Sequence, residues 1–148
     1  MQRAASANAV WSALAGAVLF AYLSVGCSTK NPIKTHPVVG KVEIKDGDTA
    51  ILTGSAVELQ SENDENLRPF GNIDSTGKFV VKTLYKGQIL EGAPEGKYKA
   101  RINLADPSDE GVPKRKGDPI HRKYYDFSAS KLTMTVPGGD YNVSLTKK

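Results

Sequence analysis

The only cysteine of the chain, Cys27, is the residue whose chemistry the sequence singles out most clearly. A thiol is a nucleophile and can accept an acyl group. Because there is one cysteine, no disulfide can form within the chain. Cys27 lies near the end of a stretch without charged residues that runs from Ala4 to Thr29. The lone thiol therefore sits beside an apolar segment, which favours acylation over pairing.

The residues before Cys27 have the parts of an export signal. Arg3 supplies a positive charge, and the apolar run 9–23 is followed by the small residue Gly26. The sequence Leu23-Ser-Val-Gly-Cys27 resembles the bacterial lipoprotein signal, in which the cysteine is diacylated through sulfur, for example with palmitate, and then becomes the first mature residue. We therefore predict a signal peptide at 1–26 and a lipid on Cys27.

Two other interpretations of the leader stay open. The uncharged stretch is long enough to remain as a membrane-spanning helix, which needs about 20 apolar residues. An ordinary signal peptidase is also able to cut nearby and release the protein. All three versions export the domain, to the periplasmic or the cell-surface side of a membrane. The segment 27–37 is polar and contains two prolines, and we expect it to be a flexible tether.

Residues suited to catalysis or metal binding are few and dispersed. His36 and His121 are the two histidines, and neither has further ligands at metal-site spacing. The acidic cluster 106–110 lacks the alternating oxygen ligands of a calcium loop. No serine lies in a nucleophile-elbow motif that His121 could serve as a base. The sequence therefore predicts no catalytic residue, no metal and no cofactor.

Two groups of residues are candidates for a ligand surface. Lys114, Arg115 and Lys116 are able to contact an anionic lipid or a polysaccharide, although three charges on a loop more often serve solubility. Tyr124 and Tyr125 are able to stack on sugar rings, but packing at the edge of a core is the favoured interpretation. The net charge of +4 comes from basic residues spread along the chain, which argues against nucleic-acid binding.

Behind the tether, the elements are strands. From Val38 onward hydrophobic residues alternate with a period of two. The clearest strand is 97–104, with Lys97, Lys99, Arg101 and Asn103 predicted to face solvent and Tyr98, Ala100, Ile102 and Leu104 predicted to face the core. Several further segments also alternate, with about seven strands in all. The segment 106–119 is predicted to be a long loop because it is rich in proline and glycine.

Glycines mark the turns between these strands. Asp46-Gly47 is a turn signal, and Gly77 and either Gly138 or Gly139 are predicted to take a positive φ. A single antiparallel two-sheet β-sandwich follows from short strands separated by turn signals, without an amphipathic helix.

Four motifs occur in a characteristic order: Val39-Gly-Lys-Val42, Gly54-Ser-Ala-Val-Glu-Leu59, Asp74-Ser-Thr-Gly-Lys-Phe79 and Ala93-Pro-Glu-Gly-Lys-Tyr98. This combination resembles the carboxypeptidase regulatory-like domain, a transthyretin-like β-sandwich, over residues 38–146. The resemblance implies a non-catalytic stabilising or interaction domain, and no catalytic residue is carried over from it.

The sequence thus predicts a lipoprotein with one all-β domain at 38–148. Its predicted role is that of a non-enzymatic interaction or structural module of the cell envelope. Its expected partners are the membrane, through lipid on Cys27, and an envelope protein or polysaccharide. A carbohydrate-binding module at the cell surface is the alternative, and an enzyme is a distant third.

Overall fold

Strands are the main regular elements of the described residues, 33–138 and 141–147 of a computed structural model, because hydrophobic and polar side chains alternate along the chain. Within these residues nine strands form: β1 Val39–Lys45, β2 Ala56–Ser61, β3 Phe70–Asn72, β4 Lys78–Val80, β5 Lys82–Tyr85, β6 Gln88–Glu91, β7 Gly96–Asn103, β8 Leu132–Val136 and β9 Val143–Thr146. Short 3₁₀ turns cover Thr49–Leu52 and Arg122–Tyr125, and a single-turn helix, α1, covers Phe127–Ser130.

The strands form two sheets. The smaller has the order β4-β1-β9, and the larger has the order β6-β5-β3-β2-β7-β8. Every pair is antiparallel except β1 with β9, which run parallel. The predicted all-β two-sheet sandwich is confirmed. The parallel pair departs from the all-antiparallel expectation because the last strand returns alongside the first instead of folding back on its neighbour.

Strand β7 shows the predicted alternation and lies between β2 and β8 in the larger sheet. Tyr98, Ala100 and Ile102 are buried, and Leu104 is half-buried because the strand ends one residue before it. On the other face the side chains of Lys97, Lys99 and Asn103 are exposed, and that of Arg101 is partly covered.

The core between the sheets is built mainly from aliphatic side chains, together with a few aromatic rings. Tyr98 and Phe79 are its largest fully buried side chains. The Tyr98 hydroxyl donates to the Pro94 carbonyl over 2.7 Å. Burial raises the pKa of Tyr98 to about 12, so this hydroxyl remains a donor even in mildly alkaline solution. Other members of the core are Val38, Val42, Leu52, Val57, Leu59, Ile73, Val81, Ile102, Ile120, Val136, Val143 and Leu145.

The turn before β4 confirms the prediction for Gly77, whose φ is 83°. Its amide donates to the Asp74 carbonyl over 3.0 Å. Hydrogen bonds from the hydroxyl and amide of Thr76 and the amide of Lys78 hold the pKa of the Asp74 carboxyl below its usual value. Gly138 does not take a positive φ, and Gly139 lies outside the described residues.

The predicted turn at Asp46-Gly47 is present, with a φ of 57° at Asp46. It does not close a hairpin, because the chain enters the 3₁₀ turn at Thr49 and crosses to the other sheet. Asp48 caps that turn by accepting from the Ala50 amide over 2.9 Å.

The start of the domain is held by backbone pairing. His36 and Ala93 form an isolated antiparallel bridge, with N–H···O distances of 2.8 and 3.0 Å. The C-terminal end of the predicted tether is therefore fixed against the segment that follows β6. The predicted signal peptide and Cys27 lie outside the described residues. Within the described part of the chain, no helix is long and apolar enough to span a membrane.

Candidate functional site

The basic run of the predicted ligand surface lies on the loop between β7 and the second 3₁₀ turn. Lys114 and Lys116 are exposed, whereas Arg115 is half-buried. The Arg115 guanidinium donates to the Ala105 carbonyl at the other end of the loop. Hydrogen bonds from Ser108, together with the charge of Arg115, hold the pKa of Asp106 below its usual value. Arg115 therefore braces this loop, and the two lysines are left as its exposed cations.

The two tyrosines of the predicted ligand surface differ in burial. Tyr124 is 5% exposed, and its hydroxyl accepts from the Thr146 amide over 3.3 Å. Its ring packs in the core beneath the Lys123 ammonium, which lies 4.8 Å from the ring centroid. This arrangement matches the core-edge interpretation for Tyr124, and its ring face is not available for stacking on a sugar.

Tyr125 is half-buried and lines an open groove of about 340 Å³. Arg101, Asn103 and Asp118 also line this groove. An aromatic ring beside a guanidinium, an amide and a carboxylate is a side-chain set able to contact a polar, ring-shaped ligand. Of the two tyrosines in the candidate surface, Tyr125 is the one whose position permits ligand contact.

A charged cluster that the sequence did not reveal covers the outer face of the larger sheet near this groove. Arg101 forms an ion pair with Glu58 at 2.7 Å, and the Asn103 amide donates to the other Glu58 oxygen over 2.7 Å. The guanidinium of Arg101 lies 4.7 Å from the centre of the Phe127 ring, and that of Arg68 lies 5.8 Å from it. Such stacking adds to ion pairing in fixing the guanidinium plane.

The cluster depends on strand register, which the sequence did not specify. Glu58 and Arg101 are directly opposite each other in the β2–β7 pair, and Phe127 reaches them from α1. Opposite charges at facing positions of neighbouring strands predict such an ion pair. This rule can be applied only when the pairing of β2 with β7 is already known.

Two exposed apolar pairs lie on the outer surface of the sandwich. Val39 of β1 faces Val80 of β4, and Leu84 of β5 faces Ile89 of β6. These four side chains are 49–64% exposed, and they are the large hydrophobic side chains left exposed in the described part of the chain. Exposed apolar pairs of this kind mark candidate contact sites.

The second of these pairs belongs to the turn between β5 and β6. Residues 84–89 are here called the hairpin tip. Lys86 and Gly87 form its two-residue loop, with φ values of 49° and 78°, as a tight primed turn requires. The Lys86 ammonium lies 5.3 Å from the centre of the Tyr85 ring.

The described residues contain no group of three or more His, Cys, Asp or Glu side chains arranged to hold a metal ion. The His121 Nδ1 atom instead caps the second 3₁₀ turn by accepting from the Lys123 amide over 3.1 Å.

In class, the molecule is an all-β protein with a two-sheet sandwich fold. Comparison with protein families, curated proteins and solved structures found no match to this chain. The function is therefore argued from the residues themselves.

Proposed function

We propose that this protein is an envelope-tethered lipoprotein whose sandwich, a carboxypeptidase regulatory-like domain, acts as a non-catalytic interaction or structural module. The observation that carries the proposal is the position of Cys27. The chain's only cysteine follows a long uncharged stretch and stands shortly before His36, where the chain joins the sandwich through its bridge to Ala93. This order of apolar leader, acylatable thiol, short polar link and folded body suits a domain held at a membrane.

The partner of the module is proposed to be an envelope protein or polysaccharide, and not a nucleic acid. The outer face of the larger sheet supports this role because it carries ion pairs with both signs of charge, and not a surface of positive charge alone. Glu58 and Arg101 are paired there, and Lys82 and Glu91 lie 3.3 Å apart further along the same face. Paired charges of both signs on a rigid sheet favour a specific polar contact.

The lipid on Cys27 is tested by mass spectrometry of the native protein. The expected mass is that of a chain beginning at residue 27 with acyl chains added. One chain binds a membrane only marginally, so two or three chains, each burying CH₂ groups at about 0.8 kcal/mol apiece, are needed for a stable anchor. Cys27→Ser is expected to release the protein from the membrane or leave it unprocessed.

Ser28→Ala is the matched control, since it changes the neighbouring residue and leaves the thiol in place; it should be acylated like the native protein. Native protein with an unmodified Cys27, or with its leader still attached, would contradict the lipoprotein proposal.

A carbohydrate-binding module is the second candidate, and the groove beside Tyr125 is the observation that favours it. Removal of the ring by Tyr125→Ala is expected to abolish glycan binding on an array, because stacking supplies most of the contact area with a sugar. Tyr85→Ala is the control, since Tyr85 is a half-buried tyrosine that does not line this groove. Array binding that is absent from the native protein, or unchanged by Tyr125→Ala, rejects this candidate.

A further inference from the structure

The outer face of the hairpin tip is aliphatic, and its other face carries the half-buried Tyr85 ring opposite the polar Gln88. Leu84 and Ile89 lie directly opposite each other on one face, 59% and 64% exposed. Tyr85 is the next residue along β5, so its side chain is directed to the other face. A protein partner that covers one flat surface would meet only one of these faces, whereas a medium that surrounds the tip contacts both.

The tip also has the charge that suits a lipid surface. Further along the same face, Lys82 is neutralised by Glu91 at 3.3 Å. Lys86, at the apex, has no ion-pair partner among the described residues. An aliphatic pair, a tyrosine and a lysine without an ion pair are residue types that lie at the boundary between lipid headgroups and acyl chains.

The tether places this tip within reach of the membrane that would hold Cys27. The roughly nine residues from Cys27 to His36 span at most about 30 Å when extended. His36 is bridged to Ala93, which follows β6 by two residues. Ile89 is therefore only about 13 Å along the chain from the residue to which the tether is attached.

From these observations we propose that the hairpin tip docks into the surface of the phospholipid bilayer and so fixes the orientation of the sandwich on the membrane. This proposal rests on the lipid anchor proposed for Cys27. The bilayer then has two attachments to the protein, one covalent through the tether and one through side chains 84–89. The Arg101–Glu58 cluster, which lies on β2 and β7 further across the sheet, is left for a soluble or envelope partner.

Tryptophan scanning tests the docking in the full, acylated protein. Trp11 is the chain's only tryptophan and belongs to the predicted leader. A tryptophan introduced into the mature chain would therefore be the only source of tryptophan fluorescence. Leu84→Trp and Ile89→Trp are compared with Thr135→Trp, an exposed position on β8 at the opposite edge of the same sheet. The protein is reconstituted in vesicles of phosphatidylcholine and phosphatidylglycerol, with or without bromine on the acyl chains near the headgroups.

The expected result is a blue-shifted emission for Leu84→Trp and Ile89→Trp that brominated lipid quenches. Thr135→Trp should emit as a solvated tryptophan and should not be quenched. Equal quenching at both edges, or none at the tip, overturns the proposal. Shielding of Leu84→Trp that rises with protein density and is independent of bromine means that a second copy covers the tip, which also overturns it.

The mass of the same preparation separates failure of the docking from failure of the anchor. Acylated Leu84→Trp protein without bromine quenching rejects the docking alone and leaves the anchor standing. Unacylated protein that stays in solution rejects the anchor, and the docking proposal that rests on it is rejected with it.

Discussion

Ile102→Ala is expected to lower the free energy of unfolding by about 2–5 kcal/mol, the usual cost of removing a buried aliphatic side chain. Ile102 is 1% exposed and lies opposite Val57 in the β2–β7 pair. The pairing of this part of β7 with β2 limits how far the sheet can collapse into the space left behind. Since domains of this size are stable by only about 5–15 kcal/mol, the loss is large.

The matched control is Lys99→Ala, three residues earlier on the same strand and on its exposed face. Its expected effect is within about ±0.5 kcal/mol, as for most surface changes. Urea unfolding of both variants measures the two values. A larger loss for Lys99→Ala than for Ile102→Ala would mean that the strand faces the other way and that the core is wrongly placed.

Gly77→Ala is expected to cost about 2–4 kcal/mol, from a strained positive φ and from overpacking. A Cβ atom at this position would collide with the Val42 carbonyl oxygen and lie 2.8 Å from the Thr49 Cγ2 atom. The clash cannot be relieved easily, because the Val42 amide donates to the Gly77 carbonyl over 2.8 Å and any movement of the turn weakens that bond.

Gly87→Ala separates the two causes of this cost. Gly87 has nearly the same φ as Gly77, 78° against 83°, but a Cβ atom there has nothing within 4 Å. Only the backbone strain remains, and the expected loss is about 1 kcal/mol or less. Equal losses in urea unfolding at the two positions would show that the crowding around Gly77 carries no cost.

Local sequence patterns predicted strands such as 97–104 well because one face of such a strand is buried and the other is exposed to solvent. If the buried and exposed faces of the segment 97–104 were exchanged, Lys97, Lys99 and Arg101 would be buried. The free-energy cost of removing these charges from water prevents this. The turn at Gly77 was predictable for a similar reason, since its residue types need no distant partner. In both cases the information lies within a few neighbouring residues.

Features that depend on distant pairing were not predictable. The parallel alignment of β1 with β9 and the ion pair of Arg101 with Glu58 join residues that are far apart in the sequence. The contact between the hydroxyl groups of Tyr124 and Thr146 of β9 likewise joins two segments that are distant in the sequence. At the edge strand β6 the apolar side chain of Ile89 is exposed because no third layer covers the sheet.

The parallel pairing of β1 with β9 has a consequence for the order in which the molecule assembles. Val42 pairs with Val143 and Ile44 with Leu145, so β1 cannot complete its pairing until β9 has been synthesised. Until that segment arrives, β1 has only β4 beside it, and a two-stranded ribbon is marginal in water. Contacts of such long separation also form slowly. The smaller sheet is therefore completed only after β9 has been synthesised, about 100 residues after β1.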